Sequence, residues 1–206
     1  MRFIIGRIGA FGVLPMVLAG LLVSQSQAGD ASGAAKAYFA GGCFWCMEEV
    51  FEKVPGVSAV VSGYMGGRVE NPSYEQVSAG GTGHAESVEV VYDPAKVSYT
   101  TLLDAFWHNV DPVTPNAQFC DHGSQYRSVI FYQGEEQKRL AEESKLAIER
   151  SQRLTQPIVT ELIKASPFYS AEEYHQDFYK KNPIRYKFYK FNCGRAQRLE
   201  EVWGAP

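Results

Sequence analysis

The sequence predicts an α+β fold: a ferredoxin-like split β-α-β core carrying an additional helix, an additional strand and a long C-terminal tail. Three observations lead there. Residues 84–92 alternate with period two, with Ala85, Ser87, Glu89 and Val91 on one face and Glu86, Val88, Val90 and Tyr92 on the other. Phe44, Met47 and Phe51, and later Leu102, Leu103, Phe106 and Trp107, recur at helical spacing. In chain order the elements read β-α-β-β-α-β, which sets an antiparallel sheet beneath two helices on one face.

The chain opens on Arg2 and Arg7, an apolar run from Ile8 to Val23, and Ser26-Gln27-Ala28. Charged, apolar and small residues in that order predict a secretory signal peptide over 1–28, and so an exported, periplasmic protein. The alternative is an uncleaved anchor, for which the apolar run falls short of a bilayer span. Residues 29–206 are expected to form a single domain, long enough for a full core without disulfide staples. The net charge of −3 describes a mildly acidic protein that is not built to coat nucleic acid. Four cysteines, two of them in Cys43-x-x-Cys46, are few for a disulfide scaffold, so redox chemistry is the better reading.

After a polar, alanine-rich leader the pattern gives a strand over 36–40, a helix over 43–54 and a Pro55-Gly56 turn. A strand over 57–64 follows. Residues 65–83 form a glycine-rich excursion, too long for a bland hairpin. The alternating strand at 84–92 ends at Asp93-Pro94, Ser98 opens a helix to about 109, and a proline-bearing loop over 111–125 leads into a strand over 126–132. A charged amphipathic helix over 135–153 and a strand over 157–163 complete the core. The tail from Pro167 is dense in aromatics and ends in a short helix over 196–202. Its stretch 180–198 holds seven basic residues and no acid. An RNA-binding strip is one reading of that composition; a packed C-terminal wrap is the one expected of an acidic, exported chain.

The chemistry centres on Gly41-Gly42-Cys43-Phe44-Trp45-Cys46, which reads as strand, glycine turn, helix. Cys43 then sits in the first helical turn, where free N–H groups and the macrodipole favour a thiolate, and becomes the candidate nucleophile. Phe44 and Trp45 set apolar faces beside it, suited to a small apolar group. The bland alternative is that Cys43 and Cys46 are buried packing residues. Glu86 shares a face with Val88 and Val90, so its carboxyl is expected to be desolvated and protonated near neutrality, a general acid. Tyr74 and Tyr126 offer phenol donors. Four histidines, His84, His108, His122 and His175, leave open a papain-like Cys-His pair. No second close pair of ligands accompanies Cys43 and Cys46, so a metal site is not expected.

Gly42-Cys43-Phe44-Trp45, Gly63-Tyr64 with Gly66-Gly67, Asn71 to Val77, Gly83-His84-Ala85-Glu86, Gln125-Tyr126-Arg127-Ser128 and Ala171 to Gln176 together resemble an A-type peptide methionine sulfoxide reductase. The match covers about 37–176. The resemblance implies reduction of the S epimer of methionine sulfoxide, free or in oxidised proteins, within an α+β fold. It implies Cys43 as nucleophile, Phe44 and Trp45 as the methyl pocket, and Glu86, Tyr74 and Tyr126 as the polar grip on the sulfoxide oxygen; Asp121 matches a further active-site acid. No bound cofactor is expected, only an external dithiol such as a thioredoxin-like protein. No nucleic acid, no stable membrane insertion after signal cleavage and a monomer complete that expectation.

The sequence departs from the family pattern at two places: Cys46 stands where many relatives have glycine, and Asn192-Cys193-Gly194-Arg195 replaces a glycine-rich cysteine tail. Cys46 and Cys193 therefore compete to resolve the oxidised nucleophile, with Cys120 an outsider. The three-residue spacing from Cys43 favours Cys46, leaving Cys193 as a second relay. Two other classes compete with the reductase: an exported thioredoxin-like thiol-disulfide oxidoreductase, because Cys-x-x-Cys also opens a helix there, and a module that binds methionine or its sulfoxide without turnover.

Overall fold

A computed structural model describes Met1 and residues 33–204, and the signal peptide expected over 1–28 lies outside the described residues. The chain divides into two units, Met1–Ala31 and Ser32–Pro206, and every element below belongs to the second. Apolar alternation lays down β1 (Ala35–Gly41), after which the Gly41-Gly42 turn delivers α1 (Phe44–Glu52). That turn requires glycine twice. A Cβ on Gly41 would lie 2.6 Å from Met47 Sδ, and Gly42, at φ +79°, would set one 2.5 Å from Gln118 Cβ. Next come β2 (Val57–Met65), α2 (Tyr74–Ser78), β3 (Ala85–Tyr92) and α3 (Tyr99–Trp107). Ser73 and Ser98 each cap the helix that follows by accepting a backbone N–H.

Two-residue strands β4 (Ala117–Gln118) and β5 (Asp121–His122) form a small hairpin inside the stretch expected to be plain loop. A 3₁₀ turn over Ser124–Tyr126 leads to β6 (Ser128–Tyr132), then α4 (Gly134–Arg150), β7 (Glu161–Lys164) and β8 (Tyr169–Ser170). The six-stranded sheet has the order β7-β6-β1-β3-β2-β8. The pairs among β6, β1, β3, β2 and β8 are antiparallel, as expected, but β7 joins β6 in parallel, so the sheet is mixed. The long α4 returns the chain to the starting end before β7 begins, and a parallel neighbour is the only one that such a crossover allows. The expected strand over 157–163 begins four residues later than read. Val159 N–H donates to Pro112 O at 2.8 Å and Thr160 Oγ1 bonds Ser128 Oγ at 2.9 Å, so these residues are spent on loop contacts.

The main core lies between the sheet and the helices. Phe39, Val88, Val90 and Ile130 meet Phe44, Met47 and Phe51 from α1 and Leu102, Leu103 and Phe106 from α3. Phe39 stacks on Phe51 at 4.8 Å and on Phe106 at 5.3 Å. The opposite face carries a smaller cluster, Tyr38, Ala40, Met65, Val129 and Phe131, covered by Ile163, Ala165 and Phe168. Among the described residues no helix is long and apolar enough to cross a membrane.

From Phe178 the tail is helical: α5 (Phe178–Lys181), α6 (Pro183–Asn192) and α7 (Arg195–Trp203). Only the last of these was expected. Pro183 starts α6 at its first turn, and Gly194, at φ +66°, breaks it from α7. The basic residues of the tail meet acids of the body: Lys180 with Glu52, Lys190 with Glu49 and Arg198 with Asp111. Trp203 Nε1 donates to Val110 O at 2.9 Å, and a Cys120–Cys193 disulfide joins the tail to the β4–β5 hairpin.

Candidate active site

Seven side chains singled out in the sequence converge on one cavity of about 90 Å³: Cys43, Phe44, Trp45, Tyr74, Glu86, Asp121 and Tyr126, with Tyr189 as an eighth. A hollow that small admits only the end of a side chain. A larger cavity of about 650 Å³ between α3, α4 and Trp203 is lined by apolar groups such as Trp107, Leu140 and Ile148 together with polar ones such as Asp104 and Glu143. It holds no thiol and no buried acid, so volume alone is a poor guide to the chemistry.

Cys43 is the N-cap of α1, its carbonyl accepting from Cys46 N and Met47 N at 3.1 and 3.3 Å. Both Cys43 and Cys46 are free and buried, 5% and 2% exposed, which is what the packing alternative required, yet Cys43 faces the cavity. A ready thiolate at Cys43 is not the resting state. Burial, then the hydrogen bond and charge of Cys46 and the charge of Glu86, push the Cys43 thiol up, outweighing the helix terminus. Cys46 is shifted down, first by the hydrogen bond from Cys43 and then by Arg195, Tyr186 and Lys190 against its own burial. The pair therefore keeps its proton on Cys43 and its charge nearer Cys46.

Glu86 behaves as the alternation in β3 predicts. It is 3% exposed, accepts Phe44 N–H at 3.0 Å, and its carboxyl is pushed up to about 8, chiefly by burial. Near neutrality it carries a proton. Asp121, half-buried in β5, is also raised by desolvation, against the hydrogen bond from Tyr189 and the charges of Arg195 and His122. Tyr74 and Tyr126 are both raised by burial and by the acids around them, so both remain phenols.

The apolar wall is built on α1 and held from the tail. Phe44 packs on Tyr64 at 6.0 Å and on His175 at 5.0 Å, and Trp45 stacks on Phe178 at 3.7 Å with 8° between planes. Trp45 Nε1 donates to His175 Nδ1 at 3.1 Å. The 171–176 stretch acts as a clamp. Glu172 accepts from Tyr74 N at 2.8 Å and from Tyr64 Oη at 2.9 Å, while Gln176 bonds both backbone groups of Ser62. Nothing among the described residues brings a histidine onto the cavity for a Cys-His pair. His84 is spent on Gly67 N and Val69 O, His108 lies against Asp104 O, and His175 serves Trp45.

Two functional candidates escaped the sequence reading. Tyr186 and Tyr189 sit on the inner face of α6, where Tyr186 reaches the Cys46 sulfur and Tyr189 reaches both Cys43 and Asp121. The tail aromatics were expected only to pack, as Phe178 does. Cys193, expected beside Cys46 as a resolving thiol, is bonded instead to Cys120, the cysteine ranked outside the contest. The two thiols are drawn together because α6 lays Cys193 against the turn at Cys120, whose backbone N–H points at the Cys193 sulfur at 3.2 Å.

Comparison with known proteins is consistent across sequence and structure. The family described as Peptide methionine sulfoxide reductase matches residues 35–206. Peptide methionine sulfoxide reductase MsrA of Listeria innocua is 51% identical over 168 residues, 82% of this chain and 95% of that one. The crystal structure of Mxr1 from Saccharomyces cerevisiae in reduced form is similar with a TM-score of 0.70 and 31% identity, covering 75% of this chain and 88% of that one. The same yeast protein in complex with Trx2 is similar in fold, with a TM-score of 0.51 and 21% identity over 75% of this chain and 91% of that one.

Proposed function

The chain belongs to the peptide methionine sulfoxide reductase family, and from that membership we propose how its own residues reduce methionine S-sulfoxide to methionine. The methyl group enters between Phe44 and Trp45, and the sulfoxide oxygen lies toward Glu86, Tyr74 and Tyr126. Cys43, once ionised, attacks the sulfoxide sulfur while protonated Glu86 gives its proton to the oxygen. The sulfur–oxygen bond of the substrate breaks as one to Cys43 forms, two electrons pass from Cys43 to the substrate, and methionine leaves a sulfenic acid on Cys43. Cys46 then attacks that sulfur, releasing water and closing a Cys43–Cys46 disulfide, which an external dithiol opens by exchange. A thioredoxin-like protein suits that step, an assignment supported by the complex of yeast Mxr1 with Trx2. Export to the periplasm is part of the proposal. It is supported by the order of residues in 1–28 and by a Cys120–Cys193 disulfide suited to an oxidising compartment.

The observation that carries this reading is Glu86, a buried carboxyl pushed up to about 8 in the same small cavity as Cys43. Thiol-disulfide exchange has no departing oxygen for such an acid to protonate, whereas sulfoxide reduction does. The test is to incubate the purified protein with each epimer of methionine sulfoxide and a dithiol. Methionine is expected from the S epimer alone; insulin reduction without sulfoxide turnover overturns the reading in favour of the oxidoreductase.

The resolving thiol is checked separately. After one pulse of sulfoxide without reductant, peptide mapping is expected to find Cys43 joined to Cys46, with Cys120–Cys193 intact. In Cys46→Ser the sulfenic acid is expected to persist and to react with a sulfenic-specific probe. A Cys43–Cys193 bond formed at full speed in that variant reassigns the step.

A further inference from the structure

The inner face of α6 is matched to the start of α1. Tyr186 and Tyr189 stand three residues apart, as Cys43 and Cys46 do, and each hydroxyl meets one sulfur. Tyr189 does more: it lines the cavity, its ring meets Trp45 edge-on at 5.9 Å, and its hydroxyl also hydrogen-bonds Asp121 Oδ2. One hydroxyl therefore bridges the sulfur of Cys43 and a carboxylate. We propose that Tyr189 is a further catalytic residue, which passes the proton of Cys43 to Asp121 as the sulfur attacks, a role that rests on the reductase reading above.

A phenol suits this position because it has one proton to give and lone pairs to accept another. Turning the Cys43 S–H from the Cys46 sulfur to the Tyr189 oxygen completes a chain in which Tyr189 O–H donates to Asp121. Shifting both protons along the chain breaks the Cys43 S–H bond, forms an Asp121 O–H bond and leaves Tyr189 a hydroxyl, now donating to the new thiolate. The thiolate attacks the sulfoxide sulfur, Glu86 protonates the oxygen, and that oxygen passes to Cys43 with two electrons going to the substrate. The proton held by Asp121 then restores Glu86. The sum is one thiol and one sulfoxide giving one sulfenic acid and one thioether, with no proton gained or lost.

The other titratable groups around Cys43 are already committed. Glu86 must start protonated to act as the acid. Cys46 must be ionised to attack the sulfenic acid later, so a proton parked there would disable the next step. Tyr74 and Tyr126 line the cavity with no hydrogen bond to an acid from their hydroxyls among the described residues, and remain free for the sulfoxide oxygen. Asp121 tolerates a proton because burial already raises it, while Arg195 and His122 keep it from holding one permanently. The disulfide fixes both ends of the relay: Cys120 directly precedes Asp121, and Cys193 follows Tyr189 by one helical turn.

The test is Tyr189→Phe, which keeps the ring against Trp45 and removes only the hydroxyl. Methionine formed in a single turnover without reductant reads the first step alone. At neutral pH its rate is expected to fall by about 10- to 100-fold, in the range of a lost proton-transfer group. The ratio to wild type should narrow as pH rises and Cys43 ionises unaided, and substrate KM should stay unchanged. Asp121→Asn should reproduce the loss, and the double variant should be no slower than the slower single one, because the two groups act as a unit. A rate within twofold of wild type, a loss equal at every pH, or losses that multiply would each overturn the relay. Wild type making no methionine from either epimer overturns the reductase reading itself, a result distinct from all three.

Discussion

Cys43→Ser is expected to make no methionine above background from the S sulfoxide, at any pH where the protein is folded. The substitution changes one atom in a position where the backbone already carries a serine-compatible N-cap conformation, so the fold should be kept. Chemistry is lost at two points. A serine hydroxyl is not ionised near neutrality and has no sulfur lone pair to take up oxygen, so neither the attack nor the sulfenic intermediate is available. Cys46 cannot stand in, because it does not line the cavity. Binding should survive, since Phe44, Trp45, Glu86, Tyr74 and Tyr126 are untouched, and turnover by the wild type that is lost in the variant while binding is kept excludes a role for the chain as a passive binding module. Measurable turnover in the variant would remove Cys43 from the nucleophile's position.

Glu86→Gln is expected to lower the rate of the first step by about 10²- to 10⁴-fold, the range of a lost general acid. The amide oxygen can still accept from Phe44 N, so the contact that Glu86 makes at 3.0 Å is preserved while the transferable proton is gone. The pH dependence makes the assignment specific. Wild-type Glu86 holds its proton up to about 8, so the rate should decline on the alkaline side as the acid is titrated away, and that decline should vanish in the variant. Stability moves the other way. Because the folded carboxyl is raised from 4.5 to about 8, ionisation is easier in the unfolded chain. The native state loses stability as pH climbs through that window, and glutamine removes the loss. A variant that is slower yet more resistant to unfolding above pH 8 carries both signatures. A rate within a few-fold of wild type would pass the proton's role to Tyr74, Tyr126 or water.

What was legible in the sequence was whatever repeats locally. The alternation of β3 put Glu86 on the core face with Val88 and Val90, and the glycine pair ahead of a helical pattern put Cys43 at a helix start. The tail misleads for a physical reason. Ile184, Phe188 and Phe191 have the spacing of a buried helix face, but they are 85, 72 and 85% exposed. The face turned inward carries Tyr186 and Tyr189, whose hydroxyls are wanted at the thiols. Hydrophobic periodicity would therefore have turned α6 the wrong way round. The direction of β7 was hidden because a short strand fits either neighbour direction, and only the return path of α4 decides it. The state of Cys43 was misjudged because a helix terminus is a local feature, whereas the burial that overrides it is completed by Phe178, Tyr186 and Tyr189 of the distant tail.

The Cys120–Cys193 bond also decides how the protein comes apart. It closes a loop of 73 residues, which in the chain-entropy account withholds about 4 kcal/mol from the unfolded ensemble. With the bond intact, α6 is held at Cys193 to the β4–β5 hairpin and cannot drift off while that hairpin stands, so it opens with the body. With the bond reduced, the tail is held by non-covalent contacts alone, among them the Phe178–Trp45 stack, the tyrosine hydrogen bonds, Trp203, Arg195 and partly exposed ion pairs, and becomes a separate foldon that opens at lower free energy. Each such opening lifts Tyr186 and Tyr189 from the thiols together. The redox potential of the surroundings thus sets what fraction of molecules is assembled for reaction at any instant, without touching Cys43 or Cys46.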